Sequence, residues 1–325
     1  MSRLQRLAVV AVTVAAGCIV LAQTDIDPLE ILRRSIAART SVDYSGVRTV
    51  VVFENGRKVH GVQQRIHCDA PDKLHIVVVA PEEQAGRLCI TNGRVRWDYD
   101  PDTGRAVQTH VPHAKLVTQQ RLREMERLGQ RMKLQYVGTE SIVGRPVHVV
   151  KVYTREGLPL KKTWVDMERF LPLKTQRFDS HGQVRSSAYY TSIDLTPSFP
   201  PGLFDFTPPP DAKVVQVPSP GDRMPLAKAQ QRVGFQAALP TYLPPGYHFQ
   251  RDSAAVLEIG GRKALWLSFT NGADTFSLFQ RPGSGPATPL HQGRSITWED
   301  GGFRFILMGT LSDEEMRRVR ASIRP

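Results

Sequence analysis

A series of short apolar strands separated by turn residues limits the fold of this chain more than any other feature. Residues 44–54 and 59–68 form two strand-like runs on either side of Asn55-Gly56, the dipeptide that most favours a two-residue hairpin turn. A second Asn-Gly dipeptide at 92–93 separates another such pair. Because tight turns join antiparallel neighbours, this pattern predicts an antiparallel sheet.

Helical patterns accompany these strands. Asp27-Pro28 supplies an N-cap residue followed by proline at the first helical position, so a first helix is predicted over about 28–39. A second, basic amphipathic helix is predicted over 115–133. A long sheet with helices on one face tends to curl. The predicted fold class is therefore α+β, a curled antiparallel half-barrel sheet packed with helices and followed by a smaller α+β domain. Further strands of the half-barrel are predicted over 74–80, 87–91, 94–99, 147–154, 161–167, 173–178 and 183–194.

A stretch dense in proline marks the boundary between these two domains. Nine prolines fall between Thr196 and Pro225, a composition typical of a stiff, extended linker. The predicted organisation is a half-barrel domain over 23–207, a linker over 208–232 and a small domain over 233–325. The small domain ends in a helix with a capping box, and its strands are predicted over 265–270, 275–281, 295–299 and 303–309.

The first 22 residues have the pattern of a secretory signal peptide. A short basic start precedes an apolar run over 7–20, and small or apolar residues occupy the peptidase site ending at Ala22. The pattern predicts export across the inner membrane, to a periplasmic or other extracytoplasmic location, with cleavage after residue 22. Two alternatives stay open, namely acylation at Cys18 in a weak lipobox and an uncleaved anchor.

The charge balance narrows the class of partner. Without the first 22 residues, 41 basic residues stand against 31 acidic ones, which gives a net charge of +10. An exported protein does not meet nucleic acid in its compartment, so nucleic acid is not expected as a partner. The charge favours anionic lipid head groups, peripheral contact with a membrane, or an acidic protein segment, and solubility alone is the alternative.

No set of catalytic residues is apparent. Asp102-Thr103-Gly104 matches the aspartic-protease triplet, but the chain has no second copy to complete a carboxylate dyad. His110 and His113 lack further ligands at metal-site spacing, and neither a P-loop nor a dinucleotide fingerprint occurs. The sequence predicts no enzyme activity, no cofactor and no metal site. An enzyme on this scaffold is the weakest alternative.

Cys68 and Cys89 form an even pair in an oxidising compartment, which favours a disulfide. Strand spacing argues against one. If Ile66 aligns with Ile76 and residues 86–91 return beside them, the cysteines lie two strands and about three residues apart. That separation exceeds the ~7 Å Cα limit for a bridge, so the pairing is left open.

Apolar strand faces are the candidate ligand site. The concave face of a curled sheet can line a cavity for an acyl chain or another elongated apolar ligand, although each of these side chains also fits ordinary core. The candidate ligand-binding residues are Val50, Val52, Ile66, Ile76, Val78, Trp97 and Tyr99.

Aromatic residues in the small domain are the candidate partner surface. Aromatic and arginine side chains are enriched at interface centres, and packing inside the domain is the alternative. The candidate partner-binding residues are Arg262, Trp266, Phe269, Phe276, Trp298 and Arg304.

Motifs in the second half of the chain resemble a known superfamily. Thr-Trp-Val-Asp at 163–166, Phe-Leu-Pro-Leu-Lys at 170–174 and Asp-Ser-His-Gly at 179–182 resemble the signature of periplasmic lipoprotein-carrier-like (LolA/LolB-like) half-barrels. Leu-Pro-Thr-Tyr-Leu-Pro-Pro-Gly-Tyr at 239–247, with the terminal capping-box helix, is similar to the C-terminal domain of RseB/MucB-type regulators of the envelope-stress sigma factor, sigma-E.

The resemblance implies an envelope-stress sensor that binds and signals. In that family the large domain is thought to sense lipid or mislocalised envelope components. The small domain helps to hold the periplasmic part of a membrane-bound anti-sigma factor and shields it from proteolysis. The partners expected here are a membrane-anchored anti-sigma factor and a lipid or acyl-chain ligand. The alternative is a periplasmic lipid or lipoprotein carrier, although a carrier needs only the cavity domain.

Overall fold

A computed structural model describes residues 27–130, 132–217, 223–250, 252–259, 262–271, 274–284 and 295–324. The predicted signal segment 1–22, with Cys18, lies outside these residues. The described ranges contain four α-helices, and their strands form a twelve-stranded and a six-stranded sheet. None of these helices is both long and apolar enough to cross a membrane.

The larger sheet takes its strands from the first two thirds of the chain. The elements of this part are α1 (Pro28–Ala38), β1 (Tyr44–Glu54), β2 (Arg57–Asp69), β3 (Lys73–Ala80), β4 (Leu88–Asn92), β5 (Val95–Asp100), β6 (Arg105–His110), α2 (Ala114–Gly129), β7 (Lys133–Ile142), β8 (Arg145–Tyr153), β9 (Pro159–Asp166), β10 (Pro172–Phe178), β11 (Val184–Asp194) and β12 (Lys213–Val217). The strands lie in the order β12-β6-β5-β4-β3-β2-β1-β11-β10-β9-β8-β7, and β12 and β7 end the sheet without closing it into a barrel. Its pairs are antiparallel except β12 with β6.

The two helices of this domain pack at the β7 end of the sheet. Asp27 caps α1 by accepting a hydrogen bond from the amide of Leu29 at 2.9 Å, as the sequence predicted. Ile31 of α1 packs in one apolar cluster with Val150 and Val165 of the sheet. The predicted α+β class, a large antiparallel sheet that stays open and packs with helices, is confirmed.

The smaller sheet has the order β13-β15-β16-β18-β17, with β14 also paired to β15. Its core stacks Phe269 on Phe276, with ring centroids 4.8 Å apart. The capping box of Ser312 and Glu315 begins the last helix, as predicted. The elements are α3 (Leu226–Val233), β13 (His248–Phe249), β14 (Ala255–Ile259), β15 (Arg262–Thr270), β16 (Thr275–Pro282), β17 (Ser295–Asp300), β18 (Phe303–Gly309) and α4 (Asp313–Ala321).

The stretch predicted as linker, 208–232, is more structured than its prolines indicate. It contains β12, which pairs in parallel with β6, and most of α3. The five residues of β12 include no proline, so their amides can donate to a neighbouring strand. The crossing from the larger sheet toward the small domain therefore begins after Val217, and the division into two separable domains stays a prediction.

Candidate ligand cavity and domain interface

A cavity of about 450 Å³ lies where the helices, the large sheet and the small domain meet. Residues of α1 and α2 form one wall, residues of β7 to β10 form another, and the turn before β16 closes a third side. Its volume is in the range of small-molecule sites. Its apolar lining consists of Leu29, Leu32, Ile36, Met125, Met132, Leu134, Val152 and Pro172.

The same cavity has a strongly cationic part. Arg39 follows the end of α1, Arg121 lies on α2, Lys161 lies on β9 and Arg177 lies on β10. Among the described lining residues, Asp274 supplies the one carboxylate. An apolar wall beside an excess of positive charge suits a ligand that is itself amphipathic.

Lys161 shows the combined effect of burial and of the neighbouring positive charges on the pKa of a lining residue. Burial, followed by the charges of Arg39 and Arg177, lowers the pKa of Lys161 to about 7, while Asp274 acts in the opposite direction. Its ammonium group therefore loses a proton more readily than that of an exposed lysine. An anion placed in the cavity would favour the charged form of the lysine.

An ionic contact beside the cavity joins the two domains. The two carboxylate oxygens of Asp274 lie 2.5 Å from Nε of Arg177 and 2.5 Å from a terminal nitrogen of Arg185. Arg185 also donates to the carbonyl of Thr310. Both arginines belong to the large sheet, whereas Asp274 and Thr310 belong to the small domain, so this contact holds the two together.

An apolar cluster forms a second contact between them. Val107 of β6 and Val215 of β12 pack in one cluster with Leu257, Phe279 and Ile306 of the small domain. This cluster explains why β12 is retained in the large sheet, because Val215 adds apolar surface at the edge that the small domain covers.

Five of the candidate ligand residues share one face of the sheet. Ile66 lies opposite Ile76, and Val78 follows two residues later on the same strand. Val50 and Val52 have the same parity on β1 as Gly46, which pairs with Ile66, so all five side chains point to the same side of the sheet. Ile66 is buried and the other four are half-buried. None of the five lines the 450 Å³ cavity.

Trp97 and Tyr99 lie on the opposite face. Trp97 pairs with Ile90, which pairs with His75, the neighbour of Ile76 on β3. Phe206 covers both aromatic rings there, with centroids 5.9 and 5.5 Å away. The seven candidate residues therefore cannot line a single cavity, because strand alternation sends two of them to the other side of the sheet.

The candidate partner residues are mostly interior. Phe269, Phe276 and Trp298 are at most 8% exposed. Trp266 is half-buried and stacks on Phe279 in the cluster between the domains. Of the two arginines, Arg304 pairs with Glu299 at 2.9 Å, and Arg262 is exposed. The aromatic rings thus serve packing, and a partner surface that uses them stays a prediction.

The two cysteines are free thiols. Ile66 aligns with Ile76 as the sequence predicted, and Ile76 aligns with Cys89, while Cys68 lies two residues beyond Ile66. They are thus two strands and two residues apart, which is too far for a bridge. Burial raises the pKa of each thiol to about 11, so both stay protonated at neutral pH.

The motif residue Asp166 has a structural role in the half-barrel. It is fully buried, and it accepts hydrogen bonds from Nε of Arg145 at 2.6 Å and from the amides of Glu168 and Arg169 at 3.1 and 2.7 Å. Burial opposes its ionisation, but these donors outweigh burial and lower its pKa. The same motif supplies Trp164, whose indole nitrogen donates to Glu140 at 2.7 Å.

The cationic lining was not predicted from the sequence. Lys161 on β9 pairs with Arg177 on β10. The sequence does not show which residues of these two strands lie opposite each other, so this pair could not be predicted from it. A signal was nevertheless present, because strand alternation places Lys161 on the same face as Val165 in the predicted strand 161–167. Asp274 carries no local signal, since its partners come from another domain.

The large sheet, its helices and the small domain together define the class of fold, an open and mostly antiparallel sheet packed with helices, with a smaller α+β unit beside its cavity. Residues 27–217, more than half of the chain, match the model of the MucB/RseB N-terminal domain. The chain belongs to the MucB/RseB family, as the motifs predicted, and this is a family of regulatory binding proteins.

Solved structures extend the likeness to the small domain. The chain is 19% identical to a protein in the complex structure of Pseudomonas aeruginosa MucA/MucB, with a TM-score of 0.58 over 92% of this chain and 99% of that one. It is 17% identical to the protein in a crystal structure of MucB, with a TM-score of 0.55 over 92% and 98%. The TM-scores over these lengths show a shared fold. A search of curated proteins finds no match.

Proposed function

We propose that this protein is a periplasmic regulator that binds the extracytoplasmic segment of a membrane-anchored anti-sigma factor and protects it from proteolysis. The observation that carries the proposal is family membership together with a fold match over 92% of the chain, small domain included, to a MucB protein solved with MucA. The net charge of +10 after residue 22 suits an acidic partner segment.

The proposal includes a lipid-like ligand for the large domain. The apolar walls contributed by α1, α2 and β7 to β10 suit an acyl chain, and the cavity volume is sufficient for part of one. A carrier is the alternative function. The two contacts that tie the small domain to the half-barrel, at Asp274 and at Phe279, favour a regulator, because a carrier has no need of a second domain beside its cavity.

Isothermal titration tests the partner assignment. The protein lacking residues 1–22 is titrated with the periplasmic segment of the anti-sigma factor from the same genome. We expect a Kd of about 1 μM or tighter, the affinity of a specific interface. The control is a scrambled segment of the same composition and charge. Equal binding of both segments would reduce the interaction to charge attraction and contradict the proposal.

A further inference from the structure

The carboxylate of Asp274 sits at the cationic part of a cavity that has more positive than negative charge. Arg39, Arg121, Lys161 and Arg177 line this part, and all four come from the large domain. Asp274 is the one carboxylate among the described lining residues, and it comes from the small domain. The cavity therefore already holds an anion, supplied by the neighbouring domain of the same chain.

The position of Asp274 is fixed from its own side. Its amide donates to the side-chain oxygen of Asn271 at 2.7 Å, and its carbonyl accepts from the hydroxyl of Thr270 at 2.8 Å. Its carboxylate is 5% exposed and reaches Arg177 and Arg185. A carboxylate held by these bonds and aimed at two guanidinium groups acts as a built-in ligand for this anion site.

We infer that the cavity binds an acyl chain with an anionic head group, and that the head group displaces Asp274 from Arg177. This inference rests on the acyl ligand proposed above. The chain lies along Leu32, Met125 and Leu134, and the phosphate or carboxylate head lies among Arg39, Arg121 and Lys161. Losing Arg177 leaves Asp274 one of its two guanidinium partners and weakens the contact between the domains.

The coupling follows from the shared arginine. Arg177 can pair fully with the head group or with Asp274, so occupancy of the cavity and closure of the domain interface oppose each other. The Val107 and Phe279 cluster, with Trp266 packed against it, is the second contact. Once the ionic contact weakens, this cluster opens for part of the time and exposes Trp266, so the small domain is loosened and not detached. A signal at the cavity thereby reaches the small domain without a new contact being built.

Three probes test the inference on the protein lacking residues 1–22. Dodecyl phosphate, dodecyl maltoside and inorganic phosphate are titrated below the micelle concentration by calorimetry. We expect dodecyl phosphate to bind about tenfold or more tightly than dodecyl maltoside, because only its head is charged. Acrylamide quenching of the Trp266 fluorescence measures how exposed the contact between the domains is, and W266F identifies the part of the signal that comes from Trp266. We expect dodecyl phosphate to increase this quenching and dodecyl maltoside to leave it unchanged.

Variants separate the binding of the head group from the loosening of the contact between the domains. D274N is expected to raise the affinity for dodecyl phosphate severalfold and to expose Trp266 without ligand, whereas D211N, at an exposed carboxylate, changes neither. If D274N does not fold, R121Q carries the test, because it is expected to weaken dodecyl phosphate binding about tenfold. R123Q, on the same helix outside the cavity lining, is its matched control.

Each result decides between the assignments. Equal affinities for the two detergents would overturn the anionic head group while leaving the apolar cavity in place. Preferential binding of dodecyl phosphate without a change at Trp266 would overturn the displacement of Asp274. An effect of inorganic phosphate equal to that of dodecyl phosphate would assign the site to a free anion and overturn the amphiphile. Binding of neither detergent would overturn both this inference and the proposed acyl ligand.

Discussion

D166A is expected to destabilise the protein by about 3 kcal/mol, because it removes one partner of a buried ion pair and leaves two backbone amides without their acceptor. Asp166 is fully buried and accepts from Arg145, Glu168 and Arg169. Urea unfolding at pH 7, followed by far-UV circular dichroism, measures the loss. E168A is the matched control, since Glu168 also pairs with Arg145 but its side chain is 72% exposed, and its cost is expected to be below about 1 kcal/mol.

The pH dependence of this effect has a fixed sign. The pKa of Asp166 is lowered in the folded protein, so its stabilising contribution is complete above the unfolded value of about 4 and is lost as the pH falls through the lower folded value. The difference between the wild type and D166A is therefore expected to shrink below about pH 4. A constant difference from pH 7 down to pH 2, or equal costs for D166A and E168A, would contradict this account of the motif.

F276A is expected to destabilise the small domain by about 3–5 kcal/mol, the usual cost of removing a fully buried aromatic ring. Phe276 has no exposed surface and stacks on Phe269, and the backbone at Gly309 packs directly against it. Unfolding followed by the near-UV signal measures the cost. F276L keeps most of the apolar volume and is expected to cost less than half as much.

The same pair of variants tests the role of the small-domain aromatics. If Phe276 is core, F276L leaves the affinity for the anti-sigma segment unchanged. A cost of F276A below about 1 kcal/mol, together with loss of segment binding in a folded F276L protein, would return Phe276 to the partner surface. That outcome would contradict the burial described here.

The features predicted correctly from the sequence depend on short-range rules for turns and helix caps. The hairpin at Asn55-Gly56, the cap at Asp27 and the capping box at Ser312 depend on neighbours within a few residues, and all three occur as predicted. The alignment of Ile66 with Ile76 was also correct, because a short turn fixes the register of its hairpin.

Errors arose where a choice depended on distant parts of the chain. The helical stripe was continued to residue 133, but α2 ends at Gly129 and β7 begins at Lys133, since an edge strand beside β8 satisfies that backbone. The strand β6 was not predicted either, and its partner β12 comes from more than a hundred residues later.

The candidate site was harder to predict than the fold. Alternation told which residues share a face within one strand, yet it did not reveal that Trp97 belongs to the face opposite Ile76. The cavity forms only when α1, β9 and the small domain meet, so its cationic residues have no common pattern in the sequence. Asp274 acquires its importance from two arginines about ninety residues earlier.

Protection of the anti-sigma segment tests the central claim most directly. The segment is digested with a fixed amount of site-specific protease, alone and with a saturating amount of the protein lacking residues 1–22, and intact segment is followed with time. The account predicts that cleavage slows about tenfold or more, because bound segment is shielded while only the free fraction is cut. Cleavage at the same rate with and without the protein, under conditions where calorimetry shows binding, would contradict it.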